Sequence, residues 1–178
     1  MPGQEIHFLT LTVVDWLDVF TRPEFAQTVM DSLTFCTQKK GLNLNAWVMM
    51  TNHLHILSSA ATGFEMGAII RDFKKFTSRS ILDMLRDKTV NESRARAFLH
   101  AFSWQGQRNN RNGDYQFWQQ ENHAVHAYSR SFTEQKLAYI HDNPVRAGYV
   151  DVAWHWRYSS ARDYMTALPG LVPVTLLD

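Results

Sequence analysis

The chain has one cysteine, Cys36, so no intrachain disulfide can form, and a reducing cytoplasmic compartment is the expectation. Cys36 falls in a candidate helix beside Val29 and Leu33 and reads as a small core residue. No apolar run approaches the roughly 20 residues that cross a bilayer, which argues against a transmembrane helix and a membrane partner. The first residues, Met1 to Glu5, lack a basic region followed by an apolar stretch, so a secretory signal is not expected. Internal repeats, low-complexity tracts and linkers are missing too. One domain over 1–178 is therefore expected, with 165–178 as a loose tail. Net charge is also scarce, at +1.

Hydrophobic residues make up 45% and charged residues 20%, a globular balance. The small net charge hides an asymmetry. From Arg71 to Arg111 there are ten Lys/Arg against four Asp/Glu, whereas the rest of the chain has eight against thirteen. Such a distribution can build a positive surface on a nearly neutral protein, and equally an exposed, solvated helix and loop.

The patterning predicts an alternation of elements. His7 to Val14 is β-branched and aromatic and reads as a strand. Pro23 opens a helix over Glu24 to Lys40, and Gly41 stops it. Leu42 to Met50 and His53 to Ser59 read as strands joined by a Thr51-Asn52 turn. Phe64 to Arg86 reads as a second helix. Asp87 to Asp114 is irregular, with room for one short helix. Phe117 to Tyr128 reads as extended. Ser131 and Glu134 form a capping-box pattern that starts a helix running to about Asp142, with Pro144 marking its end. Trp154, Trp156 and Tyr158 read as packing back over the core. The order β-α-β-β-α-β predicts an α+β, ferredoxin-like antiparallel sheet with helices on one face. The added helix carrying Tyr139 is then free to cover the other face.

On a strand, His53 and His55 point to one face and Leu54 to the other. Two imidazoles at that spacing can converge on a metal ion, and they can equally be two ordinary surface histidines. Tyr139 and Asn143, four apart on a helix, share a face. An Asn oxygen suits a hard divalent cation such as Mg²⁺ or Mn²⁺. The alternatives are a core tyrosine with a bonded hydroxyl and an asparagine closing a helix before Pro144. Arg71, Lys74, Lys75 and Arg79 recur as one helical stripe suited to phosphates, which Arg94, Arg96, Arg108 and Arg111 can extend. Trp104, Phe117 and Trp118 offer either stacking surfaces or core. His123, His126 and His141 remain open between structural and proton-transfer roles.

Met50-Thr51-Asn52-His53-Leu54-His55, behind Ala46-Trp47-Val48, resembles the His-hydrophobe-His ("HUH") motif of single-tyrosine transposases. Phe117-Trp118-Gln119, the string Gln135 to Gly148 containing Tyr139-Ile140-His141-Asp142-Asn143-Pro144-Val145, and Tyr158-Ser159-Ser160-Ala161 are similar to the signature of REP-associated tyrosine transposases. The matching blocks span about His7 to Tyr164. The resemblance implies that His53, His55 and Asn143 hold a divalent metal and that Tyr139 is the nucleophile. It also implies a ferredoxin-like nuclease core that nicks and rejoins single-stranded or hairpin DNA through a 5′-phosphotyrosine, as a monomer or homodimer. A non-catalytic nucleic-acid-binding domain is the competing reading, since this topology is a common binding platform. A metallohydrolase using an activated water is a third.

Overall fold

The computed structural model describes residues 5–109, 113–166 and 168–177. Its framework is a four-stranded antiparallel sheet of β1 (His7–Thr12), β2 (Leu42–Met49), β3 (His53–Ala60) and β4 (Val125–His126), in the order β2-β3-β1-β4. The helices are α1 (Pro23–Lys39), α2 (Met66–Arg86), α3 (Ala95–Gln107), α4 (Arg130–Arg146) and α5 (Ala161–Met165). Connectivity and strand order are those of the split β-α-β unit expected from the sequence.

Alternation along the strands sorts side chains into two layers. Leu9, Leu11, Leu42, Leu44, Trp47, Leu54 and Ile56 join Val29 and Leu33 of α1 and Ile69, Ile70 and Phe73 of α2 in the larger core. Phe8, Ala46, Val48 and Leu57 point the other way and pack against Ile140 of α4. The register places Thr10 opposite His55, Thr12 opposite His53, and Val48 beside His55. Both histidines therefore lie on the α4 side.

Several local expectations change. α4 starts after Ser129, whose hydroxyl accepts from the Phe132 N–H, and not through a Ser131/Glu134 box. Glu134 bonds Arg130 instead. The helix also runs through Pro144 to Arg146, so Asn143 sits within it. A proline this near the end removes one ladder bond, and Ala147 N–H still donates to the Asn143 carbonyl. Gly148, at φ +75°, ends the helix. The irregular segment holds a 13-residue helix, α3, longer than expected. β4 is only two residues long: five steps on β1 from Phe8 to Val13 face seven from Trp118 to Val125, so two extra residues bulge out around Glu121.

The segment beyond α5 is not loose. Val172 is fully buried in the core, and Thr175 N–H donates to the Leu44 carbonyl. The Asn45 amide donates to the Thr175 carbonyl, and the Tyr164 hydroxyl donates to the Asn45 carbonyl, which a bulge between Leu44 and Ala46 displaces from the ladder. Ser159 bridges Val48. This segment thus covers the outer edge of β2, which its irregular pattern alone did not indicate. Among the described residues no helix is long and apolar enough to cross a membrane.

Candidate active site

The Thr51-Asn52 turn between β2 and β3 is closed by Met50 N–H donating to the His53 carbonyl. Asn52 then acts as a clamp. Its amide nitrogen donates to the Trp16 carbonyl (3.2 Å) and to Asp18 Oδ1 (2.9 Å), and Thr51 Oγ1 donates to the same carboxylate (2.6 Å). With both amide protons engaged, the Asn52 oxygen faces His53 Nδ1 at 2.7 Å. Nδ1 must then be the donor, which leaves the lone pair on Nε2. His55 Nδ1 lies 2.8 Å from Thr10 Oγ1, across the β1–β3 ladder. His55 is 5% exposed and His53 more open.

Burial pushes the His53 imidazole down to about 4. Burial first, then His53 and Lys136, push His55 down to about 3. Both rings are therefore neutral near pH 7, the form that ligates metal, with Nδ1 oriented by neighbours as metal-binding histidines usually are. Their ring centroids are 4.7 Å apart. Among the described residues no third His, Cys, Asp or Glu completes a metal-binding cluster. The pair offers two neutral nitrogen donors, a set that a divalent cation could take.

α4 brings Tyr139 to this pair. Its ring lies 5.3 Å from that of His55 and 5.9 Å from Phe8. Asn143 is half-buried one turn further along the same flank. Two cations that sequence reasoning passed over lie beside the tyrosine. Lys136 Nζ sits 5.6 Å from the Tyr139 ring centre and 4.6 Å from that of Phe8, and the Arg146 guanidinium lies 5.8 Å from the Tyr139 ring centre. Their spacing was the available signal, since residues three before and seven after Tyr139 share its flank.

His141 faces elsewhere. It is buried, and its Nε2 lies 3.0 Å from Ser160 Oγ. The Ser160 hydroxyl donates to the Trp47 carbonyl and accepts from the Trp47 N–H, so His141 donates to it. Burial holds this imidazole down at about 4. The histidine of the Tyr139-Ile140-His141 string therefore fastens α4 to β2. The His126 ring lies tilted beside that of His7 where β4 pairs with β1, and His123 sits in the bulge at φ +41°.

The basic residues divide. Arg71, Lys74 and Lys75 line a cleft of about 630 Å³ with Gln116, Gln119 and Gln120. Arg108 opens into an adjoining hollow that shares Gln116 and Gln120, and its guanidinium lies over Trp104. Lys74 is not a free surface cation: it donates to the Gln119 carbonyl (2.6 Å) and to Asn122 Oδ1, fixing the bulged segment to α2. Burial lowers its ammonium to about 8. Arg79 lies apart, in an apolar groove with Phe35 and Phe76 between α1 and α2. Arg94 is bound to Glu92 and to the Asp18 carbonyl. Arg111 lies outside the described residues. Phe117 and Trp118 are core, with the Trp118 indole N–H donating to Thr77, whereas Trp104 is exposed.

The family model for IS200-like transposases matches residues 6–143, which takes in β1, the histidine pair, Tyr139 and Asn143. The chain belongs to the IS200-like transposase family. No curated protein sequence matches it. Among solved structures, the IS200-like chain is similar to a REP-associated tyrosine transposase bound to a REP hairpin. The TM-score is 0.65 at 16% identity, over 98% of this chain and 88% of the other. At that identity the likeness concerns the fold.

Proposed function

We propose that this IS200-like transposase nicks and rejoins single-stranded DNA next to a hairpin, with Tyr139 as nucleophile. The observation that carries the reading is the convergence of Tyr139 on a pair of neutral histidines, of which His53 has its Nε2 lone pair left for ligation. A divalent cation, Mg²⁺ or Mn²⁺, held by His53, His55 and the Asn143 oxygen, would neutralise and polarise the scissile phosphate.

The remaining roles belong to the chain. Thr10 and Asn52 hold the two imidazoles in orientation. Packing against His55 and Phe8 restricts the Tyr139 ring, so that positioning replaces some of the nucleophilicity a phenol lacks near neutral pH. Tyr139 Oη bonds to phosphorus, the P–O3′ bond breaks, and the phenolic proton is balanced by the proton gained by the departing 3′-hydroxyl. Lys136 and Arg146 are placed to meet the negative charge shared between the phenol oxygen and the phosphate. The 5′-phosphotyrosine keeps an ester linkage, so attack by another 3′-hydroxyl rejoins DNA without a nucleotide cofactor. Hairpin binding falls to the cleft with Arg71, Lys75 and, in the adjoining hollow, Arg108.

The test is a denaturing gel of the protein with a labelled hairpin oligonucleotide carrying a single-stranded extension. A covalent adduct should form with Mn²⁺, disappear with chelator, and be missing in Tyr139→Phe. Hairpin binding that needs no metal and yields no adduct would instead show a non-catalytic binding domain.

A further inference from the structure

Beside the histidine pair lies an exposed indole that none of these roles uses. Trp16 is 57% exposed, and its ring meets the His53 ring edge to face at 5.6 Å. The rings of Trp16, His53, His55 and Tyr139 thus follow one another across the site.

The backbone beneath this indole is strained. Asp15 and Trp16 both have φ of +54°, a left-handed conformation that is costly for any residue with a Cβ and an outlier for a bulky one. Two anchors hold it there. The Asn52 amide donates to the Trp16 carbonyl, and Gln105 Nε2 donates to Asp15 Oδ1 at 2.7 Å. The Asn52 that holds the indole's backbone is the same residue that orients His53. Strain maintained by specific anchors, ending in an apolar ring turned to solvent beside a reactive centre, marks a binding element and not a packing one.

We infer that Trp16 is a stacking platform for one unpaired nucleobase adjoining the scissile phosphate. The inference rests on the nuclease reading of the site. A phosphate at the histidine pair carries its nucleoside within reach of the nearest exposed ring, and indole–base stacking is indifferent to base identity because every base offers a flat face. The neighbouring surface suits a nucleotide strand. Asp15 lines a hollow with Gln105, Gln119, Gln120 and Glu121, and Gln119 and Gln120 also line the Arg71–Lys75 cleft. A strand running from the cleft to Tyr139 passes amides able to bond base edges, with the Asp15 and Glu121 carboxylates beside them, then the indole, then the histidines.

The experiment replaces each nucleotide flanking the cleavage point, one at a time, by an abasic residue in the hairpin oligonucleotide. Affinity is read in the Tyr139→Phe background, and adduct formation with Mn²⁺ in the otherwise native chain. Trp16→Ala should weaken binding of the intact oligonucleotide about 5- to 100-fold, the range expected for removing one stacking partner. On the oligonucleotide lacking one particular flanking base, it should cost almost nothing further. Trp16→Phe should restore most of the affinity. Trp16→Leu keeps apolar bulk without the large flat ring, should behave like Ala, and replaces it if Ala fails to fold. Equal loss on every abasic oligonucleotide, or no loss, overturns the inference. So does a change in sedimentation without base dependence, which would assign Trp16 to an interface between copies of the chain. If the native chain gives no adduct, the nuclease reading fails, and the binding measurements still decide the role of Trp16.

Discussion

At the scale of single residues, the two histidines are distinguished by their supports. His55 leans on a strand neighbour, Thr10, whereas His53 depends on Asn52, which also holds Asp18 and Trp16. Removing Asn52 frees the His53 ring and should raise the Mn²⁺ concentration for half-maximal adduct formation about 10- to 100-fold, the usual effect of losing such a support. A metal titration of Asn52→Ala reads this directly, and an unchanged half-saturating concentration would contradict it. Spacing paired His53 with His55 and Tyr139 with Asn143 on common faces, through periods of two and of 3.6, and only the family resemblance joined the two pairs into one site. Lys136 and Arg146 obeyed the same rule. They stood unremarked because a lysine or arginine on a helix is ordinarily solvated surface. Thr10 and Trp16 come from other segments, brought to the site by strand register and by the hydrogen bonds of Asn52, which no local pattern encodes.

At the scale of elements, α4 carries two separate functions on two flanks. Tyr139 meets the His55 ring with Lys136 and Arg146 beside it, and Asn143 lies one turn further along that flank, whereas Ile140, His141 and Pro144 are buried and fix the helix to the sheet. Ser160 is the pin, bonding Trp47 on β2 through both backbone groups and His141 on α4. Ser160→Ala leaves buried donors and acceptors unpaired and should cost about 1–3 kcal/mol of stability. Urea denaturation measures that loss, and adduct yield per folded molecule should stay within about twofold. A collapse of yield without loss of stability would instead place His141 in the chemistry. The helix itself was legible, but its ends were not. Ser129 and Ser131 both suit an N-cap, and only the Ser129 hydroxyl reaches the Phe132 amide. Pro144 read as a stop, yet a proline in a last turn that is otherwise satisfied is tolerated. β4 was blurred for a related reason: two inserted residues break its alternation, and Lys74 holds the bulge from outside the strand.

Over the whole molecule, the α+β class and strand order followed from the alternation of patterns, and the docked C-terminal segment did not. That segment is short and carries no helix or strand period, and its place depends on the Leu44 carbonyl and the Asn45 side-chain amide. Stability should respond to acid before most carboxylates titrate. His53, His55 and His141 have native values depressed to between about 3 and 4 by burial, against an ordinary 6.5. Between those limits the unfolded chain binds more protons than the folded one, so stability rises with pH up to about 6.5 and falls on acidification. Denaturation midpoints from pH 7 to pH 4 check the sign, and His141→Gln should flatten the slope. Nucleic-acid binding should depend on local and not net charge. Replacing Arg71 and Lys75 with glutamate should weaken hairpin affinity and lower the logarithmic salt slope by about one for each phosphate no longer neutralised. The same change at Arg79, in the groove between α1 and α2, should do neither.

All of these expectations meet at Tyr139, where the family resemblance and the geometry of the histidine pair coincide. The most direct measurement is to digest the Mn²⁺-dependent protein–DNA adduct with protease and nuclease and sequence the modified peptide by tandem mass spectrometry. A nucleotide on the Tyr139 phenol, joined through its 5′-phosphate, is the result predicted. Modification of another residue, or cleaved DNA with no modified peptide, would contradict the account.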